Sequence, residues 1–257
     1  MAEEMTEDER YHVTKEVAIS KIDDLGEILT YPAQHIFHGT MSEKIVKDVT
    51  EYCAQTNNDK ASEYLVANLK GTQSELDPWN PLMKEFIDKM MLRVCKYVEE
   101  CEMYKRERTI DIAGIWDVKY EPGDYNPLHM HGTQAKEGLS SIFYLKVPES
   151  INKAWVEGTK NPKYTYSSKK DGVLKLMWGL PRSNIADEFE CATNTYIKPE
   201  VGDFYIFNKS LNHEVMPFTE KEDRWSVQVN FNCWAKGEKE SYEAQKAAGY
   251  EFHNQNS

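Results

Sequence analysis

The 257-residue chain is short of several things, and each shortage excludes a class of protein. Its five cysteines (Cys53, Cys95, Cys101, Cys191, Cys233) are odd in number, widely spread and never arranged Cys-x-x-Cys. That pattern excludes a disulfide framework or a zinc ribbon and reads as free thiols in a reducing compartment. No run approaches the ~18 consecutive apolar residues of a membrane helix. The acidic start, Met-Ala-Glu-Glu-Met-Thr-Glu-Asp-Glu-Arg, is unlike a signal or transit peptide. Positive charge is scarce: 31 Lys+Arg against 43 Asp+Glu gives a net charge of −12, a poor counter-ion for duplex nucleic acid. Repeats and low-complexity tracts are missing. What is present is 40% apolar and 12% aromatic residue, enough for one large core or two small ones and too much for disorder. The composition is that of a soluble, cytoplasmic globular protein.

Along the chain the pattern changes once. Residues 1 to about 38 read as irregular, with one candidate strand near Val13–Ile19. Thr40-Met-Ser-Glu43 has the form of a capping box, and Ile45, Val46, Val49 and Tyr52 continue it as a helix. Lys60–Lys70 is a weaker helical stretch. Pro81 suits a first turn, and Leu82, Phe86, Ile87, Met90, Met91, Val94 and Val98 repeat at helical steps. The first hundred residues therefore read as mainly helical. From Thr109 short β-like runs follow: Thr109–Tyr120, Ser140–Val147, Val173–Trp178, Thr195–Lys198, Asp203–Phe207 and Arg224–Phe231. Alternation is imperfect in Ile110, Ile112, Ile115 and Val118 and clean in Val227, Val229 and Phe231. Six short strands without intervening helices point to an antiparallel sandwich or jelly roll. We expect a helical support region over 1–104, a β domain over 105–235 and a surface tail over 236–257. A lysine-rich insertion, 153–170, interrupts the β domain.

The chemistry concentrates where histidine does. His129 and His131, two of only seven, sit at i and i+2 in Tyr120-Glu-Pro-Gly-Asp-Tyr-Asn-Pro-Leu-His129-Met-His131 and share one face of an extended segment. Both imidazoles then reach one metal ion, and His213, after the run Gly202–Phe207, is the candidate third ligand. Three ligands on one face leave half of an octahedral iron open, as oxygen-activating Fe(II) sites require; a structural zinc would want four. Eleven residues on, Arg224 and Ser226 are again i and i+2, a guanidinium beside a hydroxyl, suited to gripping a carboxylate. Tyr120 is placed to add a phenolic hydrogen bond. Surface pairing for the histidines, a rim ion pair for Arg224 and core packing for Tyr120 are the plain alternatives.

In order, Tyr-x-x-Gly-x5-His-x-His, Leu139-Ser-Ser-Ile-Phe-Tyr-Leu145, Gly172-Val-Leu with Pro181-Arg182, Pro199-x-x-Gly-Asp-Phe-Tyr-Ile-Phe207, His213 and Arg-x-Ser resemble the 2-oxoglutarate- and Fe(II)-dependent dioxygenases. The likeness is greatest to a group related to the prolyl 4-hydroxylase-like enzymes and covers about residues 110–233. It implies a double-stranded β-helix (jelly-roll, cupin-like) core with a helical N-terminal layer. It implies Fe(II) on His129, His131 and His213, 2-oxoglutarate on Arg224, Ser226 and Tyr120, and hydroxylation of a substrate by O2 with release of succinate. His131 departs from the superfamily's usual Asp or Glu, leaving Glu137 or Asp124 as other carboxylate sources; Ser141 stands where the group tends to have Gly. A three-histidine cupin that uses no keto acid is the rival reading, since Gly123-x5-His129-x-His131 also resembles a cupin motif. A non-enzymatic interaction domain is a third. The substrate (small molecule, peptide or nucleotide) is not legible, although Trp155, Tyr164 and Tyr166 of the insertion are candidate contacts. The N-terminal helical layer offers a surface for a homodimer.

Overall fold

The computed structural model describes residues 27–31, 34–56, 70–101, 106–153, 170–179, 193–219 and 221–248. The strand candidate at 13–19, the helical stretch at 60–69, Cys191 and the insertion with Trp155, Tyr164 and Tyr166 lie outside them. Among the described residues no helix is long and apolar enough to cross a membrane.

Eight strands form the β-helix: β4 (Arg108–Tyr120), β5 (Asn126–His129), β6 (Gly138–Lys146), β7 (Leu174–Met177), β8 (Asn194–Ile197), β9 (Asp203–Asn208), β10 (Asn212–Val215) and β11 (Arg224–Ala235). They pair antiparallel as β4 with β11, β5 with β10, β6 with β9 and β7 with β8. The pairs nest like one long hairpin whose tip is the β7–β8 connection. Coiling that hairpin drops alternate pairs into opposite sheets, giving the orders β9-β6-β11-β4 and β5-β10-β7-β8. This is a double-stranded β-helix, the architecture that the resemblance implied and one of the two forms, sandwich or jelly roll, to which the run of short strands pointed.

Among the described residues of the N-terminal region, two helices are joined by three short strands that the sequence reading did not include. β1 (Glu27–Tyr31) and β2 (Gln34–Thr40) extend the larger sheet beyond β9, and β3 (Thr72–Glu75) extends it beyond β4, making seven strands. β3, Thr-Gln-Ser-Glu, has little strand character of its own. Buried acids hold its surroundings instead: Asp117 Oδ1 accepts from Ser74 N, and Asp124 accepts from Lys70 N, Gly71 N and Glu121 N. The first helix, α1 (Glu43–Gln55), starts two residues later than the capping box implied. Ser42 is its N-cap, accepting from Ile45 N, while Thr40 ends β2 and donates to Asp203. The second, α2 (Lys84–Cys101), follows the Asn80–Met83 turn, and α3 (Glu238–Ala247) lies in the tail.

Both faces of the seven-stranded sheet are buried. One packs on α1 and α2: Ile45, Val49, Phe86, Met90 and Val94 meet Phe143, Phe204, Ile206, Val227 and Val229. Phe86 and Phe143 stack at 4.9 Å. The other faces the small sheet, where Val118, Tyr120, Ile142, Tyr144, Tyr205 and Phe207 meet Leu174, Leu176, Ile197 and Val215. The uneven alternation in β4 has a cause. Asn230 pairs Gly114 but Phe231 pairs Ile112, so Ala113 is an extra residue. This bulge switches the strand's faces: Ile110, Ile112 and Ile115 all join the helix side, and Trp116, Val118 and Tyr120 turn to the lumen. Ser141 faces the helices, its hydroxyl bonded to Val229 O at 3.0 Å, so the side chain that replaces Gly is satisfied.

Candidate metal centre

His129 ends β5 and His213 lies directly opposite it on β10, one residue into that strand. His131 follows β5 and is tied down by its N–H on Lys209 O. The three imidazoles converge, their nitrogens all within 4.8 Å of one another. His129 Nδ1 donates to Pro127 O at 2.7 Å and His213 Nδ1 to Leu211 O at 2.8 Å, each carbonyl two residues upstream. Both tautomers are thereby fixed with Nε2 bare and directed inward. His131 Nε2 lies 3.0 Å from His213 Nε2. Two imidazole–metal bonds of about 2.1 Å meeting at a right angle would place the nitrogens about 3.0 Å apart. Burial holds all three pKa values below the ordinary value: His131 well below, with His213 and His129 adding to the effect, and His213 at about 3. The imidazoles are thus neutral at pH 7, and no proton has to leave before a cation binds. Among the described residues no carboxylate joins the cluster. Asp124 is engaged with three backbone N–H groups and Glu137 is exposed on the rim, so neither alternative carboxylate is brought to the histidines.

Arg224 begins β11 opposite Tyr120, and both point into the lumen. The guanidinium is 0% exposed and lies 5.1 Å from the Tyr120 ring centroid and 5.2 Å from that of Tyr144. None of its three nitrogens has a hydrogen-bond acceptor among the described residues, and the Tyr144 hydroxyl is likewise unpartnered. Burial raises both phenols, Tyr144 to about 12, against the pull of the guanidinium, so both stay protonated donors at pH 7. Ser226 sits between Val118 and Tyr144 in register, fully buried, and its Oγ accepts from Gln228 Nε2 at 2.9 Å. Its own hydrogen is therefore free for another acceptor. Arg224 and the Tyr144 hydroxyl have no hydrogen-bond partner among the described residues, and Ser226 and Tyr120, the latter in contact with Asn126 and Arg224, stand beside them, a donor set suited to a carboxylate.

The sequence reading missed Tyr144, Asn126 and Trp116. Tyr144 stands in the Ser-Ser-Ile-Phe-Tyr motif, two residues from lumen-facing Ile142, which was signal enough. Trp116 lies 5.6 Å from the His131 ring, tilted by 43°; the Ala113 bulge hid its direction. On the rim, a cavity of about 490 Å³ lies beside the His213 strand, lined by residues including Arg108, Glu137, Trp178, Leu211 and Asn212.

Residues 114–230 match the family model described as "Putative 2OG-Fe(II) oxygenase". The match runs from β4 into β11 and takes in all three histidines together with Arg224 and Ser226. No curated protein matches the sequence. Solved structures resemble it distantly. A Pseudomonas putida prolyl-4-hydroxylase is 15% identical with a TM-score of 0.48, covering 78% of this chain and 93% of its own. A Trichoplax adhaerens prolyl hydroxylase, in complex with a hypoxia inducible factor oxygen degradation domain peptide fragment, is 11% identical at 0.49, over 92% and 93%. HygX from Streptomyces hygroscopicus, with nickel, 2-oxoglutarate and hygromycin B bound, is 10% identical at 0.49, over 77% and 82%. The fold assignment rests on the strand order above and not on these likenesses.

Proposed function

We propose that the protein is an Fe(II)- and 2-oxoglutarate-dependent dioxygenase that hydroxylates its substrate. The observation that carries this reading is Arg224: a fully buried cation with three unpartnered nitrogens, in the same lumen as three converging neutral histidines. A buried charge without a partner is costly, and an anionic ligand removes that cost. His129, His131 and His213 would hold the iron. Arg224, Ser226, Tyr120 and Tyr144 would take the far carboxylate of 2-oxoglutarate.

The chain's own contribution is positioning and exclusion. The carbonyls of Pro127 and Leu211 fix two imidazoles in the ligating tautomer. Gln228 turns the Ser226 hydrogen toward the carboxylate corner by donating to its oxygen. Phe207 packs edge-on against His213 at 5.1 Å, and the lumen's apolar wall keeps bulk water off the donors. Together the bound iron and keto acid supply the oxidative step: O2 and 2-oxoglutarate become succinate and CO2 while one oxygen atom enters a substrate C–H bond.

The donor set favours a second reading, a three-histidine cupin-type metalloprotein that uses no keto acid, because no carboxylate joins the histidines among the described residues. It leaves Arg224 without a task. The experiment is turnover of 2-oxoglutarate by the full chain with Fe(II) and O2, without added substrate. Slow succinate release, absent in His213→Ala, supports the oxygenase. Stoichiometric metal uptake with no succinate and no 2-oxoglutarate binding transfers the assignment to the cupin reading.

A further inference from the structure

The edge strand β5 brings together two groups that a regular strand would separate. His213 pairs His129 and Val215 pairs Asn126, so a two-residue step on β10 is matched by three on β5. The extra residue falls beside Pro127, where an edge strand tolerates a missing N–H. Residues at i and i+3 ordinarily point to opposite faces. Here the bulge turns Asn126 to the side of His129, and Asn126 Nδ2 comes within 3.3 Å of His129 Nε2. The direction of that bond is fixed: His129 Nδ1 carries the hydrogen given to Pro127 O, so Nε2 is the bare acceptor and the amide donates. The Asn126 side chain also hydrogen-bonds with Tyr120, whose ring lies under the Arg224 guanidinium. Asn126 Oδ1 is buried with no partner among the described residues.

We propose that Asn126 is a positioning residue of this centre, an amide latch that gives up His129 and takes an oxygen of the 2-oxo acid. The inference rests on the oxygenase reading. One lone pair cannot serve two partners, so a cation on His129 Nε2 displaces the Asn126 N–H. The released donor faces the space between His129 and Tyr120, on the way from the histidines to Arg224. A keto acid whose far carboxylate is held by Arg224 presents its near oxygens there. Arg224 then fixes one end of the molecule and Asn126 the other, and the latch is free to turn only when the metal has arrived.

The test uses the full chain and two anaerobic calorimetric titrations: Mn(II) alone, then 2-oxoglutarate into the Mn(II)-loaded protein. Asn126→Leu keeps the size and removes the amide. It is expected to bind Mn(II) as tightly as the wild type or up to about five-fold tighter, because no hydrogen bond competes for Nε2, and to bind 2-oxoglutarate about five- to ten-fold more weakly. A merely structural role would lower both affinities together; that result, or an unchanged 2-oxoglutarate affinity, overturns the latch. If Asn126→Leu does not fold, Asn126→Ala is read by the same pair of titrations. A wild-type protein that takes up Mn(II) but no 2-oxoglutarate overturns the oxygenase reading itself; one that binds both, with a variant that binds both equally, overturns only the latch.

Discussion

Toward the helices, the seven-stranded sheet buries Asp117 with Trp225 Nε1 and Ser74 N on its two oxygens, and Ser141 with its hydroxyl on Val229 O. Toward the lumen it buries Arg224 and the Tyr144 hydroxyl side by side, neither with a hydrogen-bond partner among the described residues. Arg93 is intermediate: on the helix side Nη1 donates to Lys89 O and the guanidinium lies 4.9 Å over Phe204, while Nε is unpaired. The same backbone thus supports one face whose buried polar groups are mostly paired within the protein and one that holds a buried guanidinium and phenol without partners among the described residues. Substitutions should separate the two faces, stability responding on one and ligand affinity on the other.

The largest effect is expected on the helix face. Phe143→Ala removes a fully buried ring stacked on Phe86 and should cost about 3–5 kcal/mol, lowering Tm by about 10 °C while leaving 2-oxoglutarate affinity unchanged. Thermal unfolding and ligand titration read the two halves separately. Arg224→Leu should do the reverse. It removes the charged hydrogen bonds of the carboxylate corner, so 2-oxoglutarate affinity falls about 100-fold, roughly 3 kcal/mol, while Tm holds or rises because an unpaired buried charge is gone. A fall in Tm matching that of Phe143→Ala would erase the distinction between the faces.

Asp117 sharpens the comparison through pH. Burial raises its carboxyl to about 6, against hydrogen bonds from Trp225 and Ser74 that pull it down. The folded value lies above the unfolded one, so the protonated acid favours folding. That contribution is complete below about pH 4 and is lost as pH rises through 6. Asp117→Asn does not titrate. The stability difference, wild type minus variant, should therefore shrink between pH 4 and 7 by about 2–3 kcal/mol, checked by denaturant unfolding across that range. A difference independent of pH would mean that the acid is ionised throughout. The smallest effect is Ser226→Ala, which should weaken 2-oxoglutarate about five-fold with no change in Tm.

Much of this was legible in the sequence, for identifiable reasons. His129 and His131 obey the period of two, as do Arg224 and Ser226, so their shared faces follow from spacing alone. Turn signals marked out six of the eight strands of the β-helix, whereas β5 and β10, four residues each, carry His129 and His213 and were not read as strands. What escaped were features set by register. The bulge at Ala113 scrambles the alternation of β4 and conceals Trp116, and the bulge at Pro127 places Asn126 beside His129 at a spacing that reads as opposite faces. β3 escaped because Thr72–Glu75 is polar; its place is set by β4 and by the carboxylates of Asp117 and Asp124, some fifty residues away in the chain. The short strands that accompany the two N-terminal helices escaped because β2 and β3 find their place only by pairing with β9 and β4, far along the chain.

The central claim, that the lumen face is completed by a 2-oxo acid on Arg224 next to a metal on three histidines, has a direct measurement. Fe(II) and 2-oxoglutarate are added anaerobically to the wild type and to Arg224→Leu, and the visible metal-to-ligand charge-transfer band is followed. The band should appear in the wild type, saturating at one equivalent of each, and should require far more 2-oxoglutarate in the variant. A wild-type protein that binds Fe(II) yet shows no band at any 2-oxoglutarate concentration contradicts the account.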